Sequence, residues 1–272
     1  HCAGASGWRG LMASVEAEER KSRVAASHGS GSHGGGSVQA YNELGAKKLL
    51  IVPIEFQDKT GSPFSSSAVI NAHKTKIQDY FSANSYGKFT LPTITIVPQT
   101  ITLSQNASYY TGNATWQGSE YEGYVVMAYE AQAIGRATAD YNPDNFDFVC
   151  LVINHNLYSW AGLGQVGDKV NWIDGSQNGN GQDQSAGVYL HELGHNLGLP
   201  DLYDVHSETD PDGHMTDANR GFVGEFDIMG GGSYDKFSSN EMLAWSRWQL
   251  GWTRDTQIAC ISSFPASVQI TN

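Results

Sequence analysis

Residues 191–201, HELGHNLGLPD, set two histidines four apart around a glutamate. On an α-helix, positions i and i+4 share a face, so His191 and His195 would point to the same side. Two neutral imidazoles one turn apart suit a tetrahedral zinc ion, which takes histidine nitrogen at about 2.0–2.1 Å. Glu192 would overlook the same ion. Gly198 stands where such a helix must end, because glycine alone turns left-handed there without strain. The chain would then fold back through Leu199 and Pro200 and offer Asp201 as a third ligand. Three protein ligands leave a fourth vertex for water, the mark of a catalytic rather than a structural zinc site. The chemistry this predicts is hydrolysis. Zinc lowers the pKa of its bound water to about 7, and Glu192 would accept that proton as the water attacks a peptide carbonyl, then hand it to the leaving amine. The competing reading is a buried helix whose histidines hydrogen-bond within the core. The extension to Gly198 and Asp201 weighs against it.

Such a helix must be held by other elements. LLIVPIEF within 46–58 reads as a buried strand. Residues 66–89 follow with Val69, Ile70, Ile77, Tyr80 and Phe81 near helical spacing, Ser65 or Ser66 as N-cap and Asn84–Gly87 as the stop. Residues 90–103 alternate like one half-exposed strand, and a polar loop comes next. Residues 121–139 read as a second helix with Val125, Val126, Tyr129 and Ile134 turned inward. FDFVCLVIN (146–154) is another buried strand, and 159–175 is glycine-rich, then strand-like at KVNWI. The metal-bearing helix should start near Gln184, and 240–250 should form a last helix. The order predicts an α/β (α+β) fold: a mixed twisted sheet with two long helices stacked over the active-site helix, and an irregular C-terminal part. Three regions follow: 1–37 as leader or pro-segment remnant with a flexible linker, HGSGSHGGGS, carrying His28 and His33; 38–198 as an upper subdomain; 199–272 as a lower one.

Composition bounds the class. The 272 residues are 40% hydrophobic and 16% charged, enough for a sizeable core. The formal net charge of −12 and the absence of clustered Lys and Arg exclude a nucleic-acid binder. No apolar run is long enough to span a membrane. The chain opens on His1, which reads as a processed or excised piece. Three cysteines, Cys2, Cys150 and Cys260, allow one bridge, Cys150–Cys260, with Cys2 left over. Two sequons, at Asn106 and Asn113, agree with a secreted or cell-surface protein.

The stretch HELGHNLGLPD resembles the long zinc signature of the metzincin peptidases, with Asp201 where a third histidine usually stands. GEFDIMGGGS (224–233) resembles their methionine turn, with Met229 roughly 30 residues past Asp201. Together with FDIMG, LLIVPIEFQD and DYFSANSYGKFTL, the stretch is most similar to the immune inhibitor A family of secreted metallopeptidases. SWAGLGQVG and NEMLAWSRWQLGW are more similar to the gametolysin family. The resemblance covers about residues 46–254. It implies a secreted zinc endopeptidase with a metzincin-like fold, Met229 as a support beneath the metal, and polypeptide substrates. These would pair as an added strand with the sheet edge near KVNWI. Some metzincins place an oxyanion-binding tyrosine two residues after the methionine; here that residue is Gly231, and Tyr234 is the next candidate. The family often carries structural calcium, for which 140–147, 174–183 and the cluster Asp204, Asp210 and Asp212 are oxygen-rich stretches. Cys2, ahead of the linker, is a candidate zymogen switch thiol able to occupy the open metal vertex. A gluzincin-like alternative would take Glu208 or Glu225 as third ligand. A monomer is expected. A second class of function is a surface adhesin or structural module that keeps the fold without turnover.

Overall fold

The computed structural model describes residues 43–138, 141–175, 185–202, 226–230, 241–254 and 257. Strand β1 (Gly45–Glu55) is the spine. It pairs in parallel with β2 (Phe89–Ile96) and β3 (Ile101–Thr102) on one side and with β6 (Phe148–Ile153) on the other. Beyond β6 lies parallel β8 (Val170–Ile173), and beyond that the short antiparallel β7 (Gly162–Gly164) forms the far edge. A parallel strand buried on both faces needs a continuous apolar run rather than alternation. Residues 49–54 supply it.

The run sorts into two cores by parity. Leu49, Ile51, Phe148, Cys150 and Val152 face helix α1 (Ser67–Asn84) and helix α3 (Ala186–Asn196). Leu50, Val52, Ile54, Val149, Leu151 and Ile153 face helix α2 (Gly123–Ala137). The two long helices therefore lie on opposite faces of the sheet. Only α1 packs beside the helix of His191 and His195, which corrects the expectation that both would stack over it.

Residues 90–103 are two strands rather than one. Pairing to β1 runs as far as Ile51 and resumes at Ile54. Ile51 and Glu55 accept N–H bonds from Val97 and Leu103, so the odd residues of β1 turn their backbone groups to this side. Pro53 is one of them and has no N–H to offer, so the ladder breaks there. The polar loop contains a hairpin, β4 (Asn113–Trp116) with β5 (Ser119–Glu122).

Helix α2 turns Val126 and Ile134 inward as expected but not Tyr129. Val126, Met127, Glu130, Ala131 and Gly135 are buried, whereas Tyr129 is 37% exposed and packs edge-on against Tyr121 of the hairpin. The buried Glu130 carboxylate accepts the Ser104 N–H and the Tyr110 hydroxyl, each at 2.5 Å.

The last described helix, α4 (Ala244–Gln249), is shorter than expected. Its segment docks on the α1–β2 corner. Trp252 is wholly buried, stacked on Phe89 and edge-on to Phe81, and its indole N–H donates to the Glu43 carbonyl at 2.8 Å. Asn84 Oδ1 at the end of α1 accepts the Met242 N–H and an Arg247 N–H. No described helix is long and apolar enough to cross a membrane.

Candidate metal centre

All eleven residues of α3 are buried, so this helix runs through the interior rather than along it. Val188, Leu190, Leu193, Leu197 and Leu199 anchor it in the core below the sheet. It closes as the sequence requires. Gly198 has φ +107°, its N–H donates to His195 O at 2.8 Å, and the Leu199 N–H donates to Gly194 O at 3.0 Å. This paired closure satisfies two terminal carbonyls and needs a left-handed residue at Gly198.

The closure turns residues 199–202 back under the helix. His191 Nε2 and His195 Nε2 lie 3.1 Å apart, and Asp201 Oδ1 lies 3.1 Å from the first and 3.2 Å from the second. A tetrahedral ion with bonds of about 2.0 Å separates its ligand atoms by about 3.3 Å, so this near-equilateral triangle has the dimensions of one face of a zinc site. Glu192 joins the group: the ligand atoms of His191, Glu192 and His195 all lie within 4.8 Å of one another.

The imidazole protons are fixed from behind. His191 Nδ1 is 2.8 Å from Ile228 O, and His195 Nδ1 is 2.8 Å from Leu199 O. A carbonyl only accepts, so both Nδ1 atoms carry the hydrogen and both Nε2 lone pairs face the centre. Two lone pairs and a carboxylate oxygen converging on one point call for a cation. The donor set, two nitrogens and one oxygen, suits zinc.

The electrostatics differ sharply between the two carboxylates. Burial alone would raise the Asp201 carboxyl, but hydrogen bonds and charge from His191 and His195 hold it well below the usual range. The Glu192 carboxyl is pushed up to about 7. Burial dominates; the His191 charge lowers it, the Asp201 charge adds to the rise, and the Gly164 N–H pulls it down.

Below the helix, the turn Asp227–Gly230 joins the site to the C-terminal segment. Met229 is wholly buried, and its Sδ lies against Gly194 so closely that a Cβ there would collide with it. Ile228 O holds His191, and Met229 O accepts the Leu202 N–H at 2.8 Å, next to Asp201. Asp227 shapes the turn. Its fully buried carboxylate accepts the Met229 N–H (2.8 Å), the Leu243 N–H (2.7 Å) and the Ser246 hydroxyl (2.8 Å).

Asn196 ties the sheet edge to the helix. Its side-chain N–H groups donate to Gln165 O and Val170 O, and its Oδ1 accepts from Asn171.

The structure thus brings His191, Glu192, His195, Gly198, Asp201 and Met229 together. The roles of Asp227, Ile228 and Asn196 are not legible in the sequence: a carboxylate or amide bonding backbone far along the chain leaves no spacing pattern. The strand KVNWI is not the sheet edge, because β7 covers it; the edge is Gly162–Gly164. Cys150 is a free thiol buried in the middle of the sheet, its pKa raised by burial; Cys260, Cys2, Tyr234, Glu208, Glu225 and Asp204, Asp210 and Asp212 lie outside the described residues. In 141–147 the side-chain oxygens of Asn142, Asp144 and Asp147 have protein partners, and Asp140 lies outside the described residues. Asn142 caps Asp144 N–H, Asp144 binds Arg136 through two nitrogens, and Asp147 accepts the Lys48 N–H. Asp174 is taken by the N–H groups of Leu157, Tyr158 and Gly175.

Residues 174–258 match the family described as immune inhibitor A peptidase M6, catalytic domain. No curated protein matches the chain. Among solved structures, archaemetzincin from Methanopyrus kandleri is 14% identical, covering 78% of this chain and 97% of its own, with a TM-score of 0.39. Metalloproteinase-II from Bacteroides fragilis is 13% identical over 79% of this chain and 54% of its own, with a TM-score of 0.42. A zinc-dependent peptidase from Methanocorpusculum labreanum is 15% identical over 76% of this chain and all of its own, with a TM-score of 0.38.

Proposed function

Because residues 174–258 match the immune inhibitor A peptidases, as the helix and turn motifs lead one to expect, we propose that this chain is a secreted zinc endopeptidase. The family match supports the zinc metallopeptidase. The observation that carries the site is the 3.1–3.2 Å triangle of His191 Nε2, His195 Nε2 and Asp201 Oδ1 with Glu192 beside it. In this reading these three residues hold the ion, and Met229 and Gly198 support them. When bound, zinc supplies a Lewis acid that acidifies water and polarises a peptide carbonyl.

Glu192 does the proton work. Its carboxylate, beside the three candidate ligands, accepts a proton from the attacking water at one oxygen and returns it to the departing amine nitrogen. The Nδ1–H bonds to Ile228 O and Leu199 O keep both imidazoles from rotating or changing tautomer during that exchange.

The substrate's track follows from the ladder of β7. Ala161 O accepts the Asp174 N–H at 3.0 Å, so 161 and 174 form a hydrogen-bonded pair. Antiparallel pairs alternate, which makes Leu163 and Trp172 the next one and turns the backbone groups of Gly162 and Gly164 away from β8 to the outer edge. An extended polypeptide pairing there would lie beside Glu192, and a strand-like track suits cleavage within a chain.

The test is zinc content and casein cleavage for the wild type and Glu192→Gln, with and without a chelator. The reading expects about one zinc per chain, chelator-sensitive cleavage, and a variant that keeps zinc while losing about 10²–10⁴-fold in rate. A zinc-loaded chain freed of its leader that cleaves nothing would leave the non-hydrolytic surface module ahead.

A further inference from the structure

The edge strand carries glycine at two alternate positions, and both look at the metal-bearing helix. A Cβ built on Gly162 would lie 2.5 Å from Glu192 Oε1, 2.7 Å from its Cγ and 2.8 Å from its Cδ. A Cβ on Gly164 would lie 2.6 Å from Glu192 O and 2.9 Å from His195 Cβ. The two contacts differ in kind. The three nearest atoms to a Cβ on Gly162 all belong to the Glu192 side chain beyond its Cβ, which can rotate. Gly164 meets the helix backbone and the root of a histidine, which can move only if the helix does. Neither glycine has a positive φ, so conformational freedom does not account for them. What their positions require is the missing side chain.

We propose that Gly162 is a positioning residue for Glu192 and Gly164 a positioning residue for the helix that bears His191 and His195. The strand that would hold the substrate backbone can thereby approach the base and the metal platform to contact distance. At Gly162 the space of a side chain is filled by the Glu192 carboxylate. Any larger residue there swings the carboxylate away from the track while leaving the histidines in place. At Gly164 a larger residue pushes the helix itself, and the histidine–aspartate triangle opens. This assignment rests on the peptidase reading for the roles of Glu192 and the histidines; the contacts themselves do not.

The test compares Gly162→Ala, Gly164→Ala and Glu192→Ala in the full chain. Gly162→Ala should retain zinc against a competing chelator as well as the wild type does, while kcat falls about hundredfold or more with KM little changed. Gly164→Ala should lose zinc at a chelator concentration about tenfold or more lower. Gly162→Ala should also lower the urea midpoint of the wild type but not that of Glu192→Ala, where the three contacting atoms are gone. If Gly162→Ala fails to fold, the Gly162→Ala/Glu192→Ala double variant should fold. A Gly162→Ala protein with wild-type kcat, one that loses zinc as readily as Gly164→Ala, or an equal midpoint shift in both backgrounds overturns the proposal. The stability cycle needs no turnover, so it decides the contact even in a chain that cleaves nothing, an outcome that would sink the peptidase reading alone.

Discussion

His191 and Ile228 stand 37 positions apart in the chain, and the imidazole Nδ1 of the first is 2.8 Å from the carbonyl oxygen of the second. The geometry of that histidine thus depends on a turn from a different part of the sequence. The turn is in turn held by Asp227, whose two oxygens accept three hydrogen bonds. Holding an imidazole through a backbone carbonyl that is itself pinned fixes its tautomer and ring orientation.

Asp227→Asn should therefore weaken zinc binding without touching a ligand. An amide keeps one acceptor oxygen where the carboxylate had two, so the turn loosens. Zinc affinity, read by competition with a chromogenic chelator, should fall about 10- to 100-fold. Unchanged affinity would detach the turn from the metal platform.

Asp201 offers an ordered series. Asp201→Ala should surrender zinc to the lowest chelator concentration. Asp201→His should hold it better, because imidazole is itself a zinc ligand, and the wild type best of the three. Metal content after desalting in graded chelator gives the ranking. Wild-type retention by Asp201→Ala would remove Asp201 from the ligand set.

Asp174 predicts a pH dependence of stability. Burial pushes its carboxyl up to about 6, against the opposing pull of the N–H groups of Leu157, Tyr158 and Gly175. The folded state then holds this proton more tightly than the unfolded chain, whose value is 3.8. Below about pH 4 the group is protonated in both states, and stability falls as pH rises from there to about 6, by up to ~3 kcal/mol. Urea midpoints across that range should fall more steeply for the wild type than for Asp174→Asn, which does not titrate. Parallel slopes would contradict the raised pKa.

Trp252 closes the core where the C-terminal segment meets α1 and β2. Trp252→Ala removes a wholly buried ring from between Phe81 and Phe89 and leaves the Glu43 carbonyl without its donor. The expected cost is about 3–5 kcal/mol, read from urea unfolding. A cost below about 1 kcal/mol would mean that the segment is not part of the cooperative core.

Much of this was legible in the sequence because the physics behind it is local. His191, Glu192 and His195 are one helical turn, Gly198 is a helix end, and the runs 49–54 and 148–153 are strands buried on both faces. What escaped was set by distant partners. Pro53 breaks a ladder to residues more than forty positions away, and its effect on 97–100 depends on which side its nitrogen faces. Glu130 takes a buried place on α2 through Ser104 and Tyr110, so the apolar pattern misses it and misreports Tyr129, while Val126 and Ile134 do pack inward. The edge position of β7 could not be read from KVNWI, because a three-residue strand with two glycines has no periodicity to detect.

The Asn196 side chain bridges Gln165, Val170 and Asn171 at the turn that joins β7 to β8. One amide sitting a single residue past His195 thus clamps the hairpin to the helix. Strand edge and helix are thereby tied as one unit, so an Asn196→Ala change should loosen both together, read as faster hydrogen exchange across Gly162–Ile173 and Ala186–Asn196 alike.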